Sequence, residues 1–98
     1  MSLELFNLSG RVAVVMGGTS GIGRMLAVSL AAAGADVVAT GRRENLIAEV
    51  AADIEKAGRR TLRRATDASD RPSIDALRDE ILAKLGRVDI LVNAAGQI

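Results

Sequence analysis

The chain of 98 residues contains no cysteine, histidine, tryptophan or tyrosine, and it has only one phenylalanine and one proline. Without cysteine and histidine it lacks thiolate nucleophiles, disulfides and the usual side-chain ligands of zinc and haem, so metal catalysis is not expected. The single proline, with 49% hydrophobic and 26% charged residues, is typical of a packed globule rather than a disordered tail. The length allows one small domain.

Net charge and hydropathy both argue against nucleic acid or a membrane as the binding partner. The formal net charge is only +1, so no overall positive field draws the chain to nucleic acid or to an anionic membrane. No window reaches the roughly 20 uninterrupted apolar residues of a membrane span, and the opening MSLELFNLSG lacks the apolar segment of a signal peptide. We therefore expect a cytoplasmic protein with no membrane or nucleic-acid partner, in which any anion site is local.

Apolar patterning predicts alternating strands and helices. Continuous apolar runs predict buried strands at residues 12–16 and 37–39, and Val88, Ile90 and Val92 predict another near the end of the chain. Residues 60–65 are a weaker candidate for a strand near a sheet edge. Helices are predicted from Gly21 to the stop at Gly34, over residues 44–57, and from the capping residue Asp70 to Gly86. In the first helix the apolar stripe is Ile22, Leu26 and Leu30.

The predicted order, β-α-β-α-β-α-β, indicates the α/β class. Each crossover is long enough for a helix, as a parallel sheet requires. We expect the first portion of a Rossmann-type doubly wound parallel sheet, with strand order 3-2-1-4. In such sheets ligands bind at the carboxyl ends of the strands, where the winding reverses between strands 1 and 4.

A glycine-rich loop, MGGTSGIG at residues 16–23, joins the first strand to the first helix. Gly17 can permit the tight turn, Gly21 lets the backbone approach a pyrophosphate, and Gly23 lets the helix pack closely on the strand. The N–H groups of the helix N-terminus then face the anion. The alternative is a tight turn without a ligand. A triphosphate-binding P-loop is disfavoured, because Arg24 and Met25 follow Gly23 where Lys and Ser or Thr are needed.

The end of the second strand indicates which dinucleotide would bind. Asp36 has the sequence spacing of a ribose-binding carboxylate, but it lies at the amino end of the strand. At the carboxyl end Arg42 and Arg43 follow Thr40-Gly41 without a carboxylate. Arg binds phosphate bidentately, so this segment favours NADP(H), with its 2′-phosphate, over NAD. The alternative is that the two arginines are solvated surface charges, one of them paired with Glu44.

These motifs resemble the amino-terminal half of the short-chain dehydrogenases/reductases, over residues 6–96. The family opening, approximately L-x-G-K-V-A-L-V-T-G-x-x-x-G-I-G, matches residues 8–23, with Met16 where the family commonly has Thr. The family motif N-N-A-G matches residues 93–96, with Ala94 at the second position. The resemblance implies a cofactor site formed by Gly17, Thr19, Ser20, Gly21, Ile22, Gly23, Arg42, Arg43, Asp67, Ala68, Asn93, Ala94, Ala95 and Gly96.

Particular roles follow from the resemblance alone. The N–H of Ile22 would bind the pyrophosphate, Ser20 and the adjacent Thr19 would lie near the 2′-phosphate, and Asp67 would contact the adenine amino group. Two of these positions have a structural alternative. Asp67 could instead form a turn, and Asn93 could serve mainly to tie the strands together.

The family's catalytic residues, a Tyr-x-x-x-Lys pair with a Ser, are absent, since they follow the N-N-A-G segment and the chain has no tyrosine. We assign no catalytic residue and no metal ligand. The resemblance implies that residues 1–98 are the NADP(H)-binding domain of an oxidoreductase acting on a small carbonyl or alcohol. Further βα units would pair with the open edge of the fourth strand and supply catalysis, and the full-length protein would be a homo-oligomer.

Two other functions compete with this interpretation. One is a dinucleotide-binding module without catalysis, such as a redox sensor or a scaffold subunit. The other is a nucleic-acid patch made by Arg59, Arg60, Arg63 and Arg64. The patch is disfavoured because strand alternation would divide these arginines between two faces and no aromatic residue is available for stacking on bases.

Overall fold

The computed structural model describes residues 7–94. In this range the chain forms three helices and three of the four predicted strands. None of the helices in this range is both long enough and apolar enough to cross a membrane. The elements are β1 (Val12–Met16), α1 (Gly21–Ala32), β2 (Asp36–Thr40), α2 (Glu44–Lys56), α3 (Arg71–Leu85) and β3 (Ile90–Asn93).

The three strands form one parallel sheet in the order β2-β1-β3. Val12 lies opposite Asp36 and Met16 opposite Thr40 in the first pair, and Met16 lies opposite Asn93 in the second. All five residues of β1 are buried, as expected for the central strand of a sheet covered on both faces. The carboxyl ends of all three strands therefore meet at one rim.

Helices cover both faces of the sheet. Alternate residues of β1 and β2, among them Ala13, Val15 and Val37, pack against α1 and α2. Val12, Val14 and Met16 point to the opposite face, where they pack against Leu77, Ile81 and Leu85 of α3. The chain thus forms three layers, which confirms the α/β class and the parallel sheet.

The buried face of α1 matches the predicted stripe only in part, since Leu26 is half-buried and Leu30 packs against the core. The predicted stripe was Ile22, Leu26 and Leu30, but Ile22 is 70% exposed, and the buried positions are Gly23, Ala27 and Ala31. These small residues follow the same i, i+4, i+8 spacing, displaced by one position. Small side chains allow the helix axis to approach the sheet closely, so the larger residues turn to the flank of the helix.

The predicted third strand, residues 60–65, is not a regular strand, which corrects the expected order 3-2-1-4 to three strands in this part of the chain. The segment still follows the edge of β2, because Val37 N donates to Arg60 O (3.1 Å) and Thr66 N donates to Gly41 O (2.7 Å). Two further hydrogen bonds between this segment and β2 are made by side chains of β2 instead of by its main chain. The Asp36 carboxylate accepts from the N–H of Arg60 (2.8 Å), and the Thr40 hydroxyl donates to the carbonyl of Arg64 (2.6 Å).

The arginines of this segment do not form one basic patch. Arg63 pairs with Glu55 of α2, and Arg64 pairs with Glu80 of α3, on opposite faces of the sheet. Arg60 pairs with Asp36, so the carboxylate at the amino end of β2 already has a partner. Arg63 and Arg64 are therefore divided between the two faces of the sheet, as strand alternation predicted.

Candidate functional site

A cleft of about 980 Å³ opens at the rim where the three strands end. It lies beyond the carboxyl ends of β1, β2 and β3, the position at which open α/β sheets bind ligands. Its walls come from the glycine loop, the start of α2 and the segment that precedes α3. The lining residues are Met16, Gly17, Thr19, Ser20, Thr40, Gly41, Arg42, Arg43, Leu46, Thr66, Asp67, Ala68, Ser69 and Asn93.

The glycine loop is packed so tightly at Gly23 that a side chain would not fit there. A Cβ atom on Gly23 would lie 2.8 Å from the carbonyl carbon of Gly17 and closer still to its oxygen. Gly17 has φ 75°, a conformation that favours glycine. The N–H groups of Gly17 and Gly18 both donate to the carbonyl of Thr40 (2.9 and 3.1 Å), which ties the loop to β2.

Gly18 was missed by the sequence analysis. A Cβ there would lie 2.9 Å from the Cβ of Ala39 and from the carbonyl oxygen of Val15, so this position also requires glycine. The signal was present in the sequence as the pair Gly17-Gly18.

The first turn of α1 is left without a cap. Ser20 is the N-cap residue, but its side chain makes no capping hydrogen bond, and the first helical bond runs from Arg24 N to Ser20 O (3.2 Å). Within residues 7–94 the N–H groups of Gly21, Ile22 and Gly23 have no acceptor. Gly21 and Ile22 are exposed and follow Ser20, which lines the cleft, while Gly23 is buried under the loop; these three predicted site residues are not themselves among the lining residues. Free N–H groups and the helix dipole together favour an anion at this end.

The first turn of α2 is also uncapped and also borders the cleft. Arg43 is its N-cap residue and makes no capping bond, and Ile47 N is the first donor, to Arg43 O (3.1 Å). The start of α3 is different, because the side chain of Asp70 accepts from Ser73 N (3.1 Å), as predicted. Of the three helices that begin near the cleft, only α3 therefore has a side-chain cap.

The arginines of the cleft differ from the others in the described range. The side chain of Arg43 has no hydrogen bond or ion pair with any residue in 7–94, and the nearest carboxylate contact of Arg42 is a distance of 4.0 Å from its Nε to Asp67. Neither pairs with Glu44. The remaining arginines each have a closer acceptor: Asp89 for Arg11 and Arg87, Glu49 and Asp53 for Arg24, the Ala31 carbonyl for Arg59, Asp36 for Arg60, Glu55 for Arg63, Glu80 for Arg64, and Asp75 for Arg71 and Arg78.

Asp67 lines the cleft and forms the turn that was its structural alternative, while its contact with adenine stays a prediction. One carboxylate oxygen accepts from the Oγ of Ser69 (2.7 Å) and from its N–H (2.9 Å). These bonds, with the nearby charge of Arg42, hold the pKa of the Asp67 carboxyl below its usual range. The N–H of Asp67 donates to Oγ of Ser73 (3.0 Å), which fixes the turn to the start of α3.

The end of β3 closes the cleft on the opposite side. Asn93 lies opposite Met16 in the sheet and lines the cleft, and Ala94 N donates to the carbonyl of Met16 (2.7 Å). Met16 is 8% exposed and packs in the apolar layer under α3, so a thioether fills the position where the family commonly has Thr. Of the other predicted site residues, Ala95 and Gly96 lie outside the described range.

Several lining residues were not assigned to the site from the sequence. Gly41 packs against Thr19, since a Cβ on Gly41 would lie 3.1 Å from the Thr19 hydroxyl. Leu46 is half-buried one helical turn after Arg43, a spacing that could have placed it beside the arginines. Met16 and Thr40 line the cleft from the ends of β1 and β2, and Thr66 and Ser69 are brought to it by the segment before α3. No acidic cluster capable of holding a metal ion occurs in the described part of the chain.

Comparison with known proteins agrees with this architecture. Over 101 residues the chain is 44% identical to 2-dehydro-3-deoxy-D-gluconate 5-dehydrogenase of Dickeya dadantii, covering 100% of this chain and 38% of that protein. It superposes on L-sorbose reductase of Gluconobacter frateurii, solved with NADPH and L-sorbose, with a TM-score of 0.88 and 38% identity, covering 94% of this chain and 35% of that one.

A metagenomic short-chain oxidoreductase solved in complex with NADP gives a TM-score of 0.80 at 40% identity, covering 87% of this chain and 38% of that one. The chain spans about a third of the length of the curated relatives it matches. Residues 11–98 match the family described as short chain dehydrogenase. On this match and on the fold, the chain belongs to the short-chain dehydrogenase family.

Proposed function

We propose that this chain is the NADP(H)-binding part of an oxidoreductase that transfers a hydride to or from a small carbonyl compound or secondary alcohol. The observation that carries the proposal is the charge at the cleft. Arg42 and Arg43 stand at the carboxyl end of β2, one with a single distant carboxylate and the other with none in residues 7–94. Guanidinium groups left uncompensated beside a cleft suit an anionic ligand, and the 2′-phosphate of NADP is such a group.

The remaining walls of the cleft fit the rest of the dinucleotide. The free N–H groups at the start of α1 would hold the pyrophosphate, because Gly17 and Gly23 allow the loop to lie flat against the helix. Asp67 and Ala68 line the wall next to Arg42, where the adenine would lie. When bound, the nicotinamide group supplies the hydride or accepts it; the residues described here bind and orient the cofactor.

The residues at the same rim of the sheet also favour NADP over NAD. A ribose with a free 2′-hydroxyl is usually bound by a carboxylate at the end of β2. This chain has Thr40 and Gly41 there, followed by two arginines. The carboxylate of β2, Asp36, lies at the other end of the strand and is engaged by Arg60 through two bonds of 2.8 and 2.9 Å. NAD would therefore lack its usual partner, whereas NADP would gain one.

Catalysis requires groups that this sequence does not contain. It has no tyrosine and no histidine, and we propose that the acid–base residues come from chain that follows the strand β3 in the full-length protein. This would also place a neighbour on the open edge of β3, where Leu91 is 68% exposed. A small carbonyl substrate is proposed from the L-sorbose bound in the related reductase.

Cofactor titrations of the full-length protein test the proposal. We expect NADPH to bind about tenfold or more tightly than NADH, because a charge-assisted hydrogen bond is worth about 1.5–3 kcal/mol. Arg42→Met and Arg43→Met should reduce this preference. Arg78→Met is the matched control, since Arg78 is exposed on α3 and pairs with Asp75 and Asp79 away from the cleft. Equal binding of NADPH and NADH by the unaltered protein would contradict the proposed cofactor.

Activity distinguishes the two functional classes. Oxidation of NADPH that depends on an added carbonyl compound is expected for the oxidoreductase. Tight NADPH binding by the full-length protein without turnover of any of a broad panel of carbonyls and alcohols would instead favour the non-catalytic module.

A further inference from the structure

Arg42 and Asp67 differ in how firmly the structure holds them. The Asp67 carboxylate receives two hydrogen bonds from Ser69, of 2.7 and 2.9 Å, and its main chain is tied to Ser73. The Arg42 side chain is 75% exposed and approaches Asp67 only through Nε, at 4.0 Å. Its terminal nitrogens have no acceptor in residues 7–94. The carboxylate is therefore fixed, and the guanidinium is free to turn towards another anion.

We propose that Asp67 determines how strongly the cleft prefers NADP over NAD, by competing with the 2′-phosphate for Arg42. This inference rests on the proposed function. To bind the 2′-phosphate, Arg42 must give up its electrostatic attraction to Asp67, and the phosphate is itself repelled by the Asp67 carboxylate. The neutral 2′-hydroxyl of NAD incurs neither energetic cost. Asp67 thus lowers the preference that Arg42 and Arg43 create.

The contact that the family resemblance implies between Asp67 and the adenine does not obscure this effect. NADP and NAD carry the same adenine, so loss of that contact changes the affinity of both equally. The ratio of the two affinities reports only on the 2′ position. A residue that acts solely on the adenine, or solely in the turn, would leave the ratio unchanged.

Asp67→Asn is the variant that isolates the charge. Its side-chain carbonyl can still accept from Ser69 and maintain the turn, while the negative charge is lost. Asp79→Asn is the matched control, because Asp79 is 71% exposed and pairs with Arg78 on α3. Both variants change the net charge of the protein by the same amount. Any long-range effect of charge on NADPH binding therefore appears in both.

The measurement is the dissociation constant of NADPH and of NADH for the full-length protein, followed by the fluorescence of the reduced nicotinamide. We expect Asp67→Asn to raise the preference for NADPH by about threefold, the scale of an exposed ion pair. Asp79→Asn should leave the preference unchanged. In an Arg42→Met background the effect of Asp67→Asn should become smaller, because the competition acts through Arg42.

The outcomes separate this inference from the proposed function. If the unaltered protein prefers NADPH but Asp67→Asn leaves or lowers that preference, Asp67 is not a competitor and the inference is overturned while the cofactor assignment stands. If the increase is undiminished in the Arg42→Met background, competition for Arg42 is likewise overturned. If the unaltered protein shows no preference for NADPH, the proposed function itself fails.

Discussion

Replacing Gly23 by alanine tests whether the glycine loop is held as tightly as the structure shows. Gly23 lies in α1, where helix propensity alone would make alanine more stable than glycine by about 1 kcal/mol. Packing predicts the opposite sign. The new Cβ would lie 2.8 Å from the Gly17 carbonyl carbon and 3.1 Å from the Gly18 Cα, closer to backbone atoms than side chains ordinarily approach.

The size of the effect follows from what must move. Overpacking costs about 1–3 kcal/mol, and shifting the loop strains the two hydrogen bonds from Gly17 and Gly18 to Thr40, each worth about 1 kcal/mol. We expect Gly23→Ala to lower the free energy of unfolding by about 2–4 kcal/mol after the gain in helix propensity. It should also abolish NADPH binding, since the displaced loop no longer leaves room for the pyrophosphate.

Urea denaturation and NADPH titration of the full-length protein measure the two effects. The control is Gly58→Ala, which lies after α2 at φ +82° with nothing within 4 Å of the added Cβ. It should lower stability by about 1–2 kcal/mol through backbone strain and leave NADPH affinity unaltered. A Gly23→Ala protein as stable as the parent, and binding NADPH as well, would refute the packing argument.

Substitutions at three further positions test individual contacts, and the measurement for each is the free energy of unfolding. Asp70→Ala should destabilise by about 1 kcal/mol through loss of the α3 cap, whereas Asp70→Asn should have little effect; equal losses would contradict the capping role. Thr40→Val should cost about 1–3 kcal/mol by removing the short hydrogen bond to the Arg64 carbonyl, which then keeps only the longer one from the Thr66 hydroxyl (3.4 Å), and Thr40→Ser should retain most of the stability. Asp89 accepts from Arg87 and from the N–H of Val12, and these bonds lower its carboxyl pKa; its contribution is therefore complete above the unfolded pKa of about 3.9 and is lost as pH falls through the lower folded value. Asp89→Asn should accordingly destabilise at neutral pH and match the parent at strongly acidic pH, and a difference independent of pH would contradict this assignment.

The sequence predicted the elements well where one strong local signal set each boundary. The valine-rich run gave β1 at residues 12–16, and Asp70 marked the start of α3. The same reasoning was only partly right about the buried face of α1, because hydropathy gives weight to large residues such as Ile22. The close approach of helix and sheet beside the glycine loop instead favours Gly23, Ala27 and Ala31 at the buried positions.

Hydrogen bonds and ion pairs between residues distant in the chain explain the other differences between the predicted and the observed structure. Residues 60–65 follow the edge of β2 as expected, but the side chains of Asp36 and Thr40 form hydrogen bonds there in place of a regular ladder. No local pattern reveals such bonds between residues 24 apart in the chain. Likewise, the sequence placed Arg42 and Arg43 at the rim, but only the structure shows that the other arginines of the described range have closer acceptors.

A crystal structure of the full-length protein with NADP would show directly how the cleft binds the dinucleotide. We expect the pyrophosphate at the N–H groups of Gly21 and Ile22, and the 2′-phosphate within hydrogen-bond distance of Arg42, which has turned away from Asp67. A cleft without the dinucleotide at saturating NADP, or a 2′-phosphate remote from both Arg42 and Arg43, would contradict this expectation.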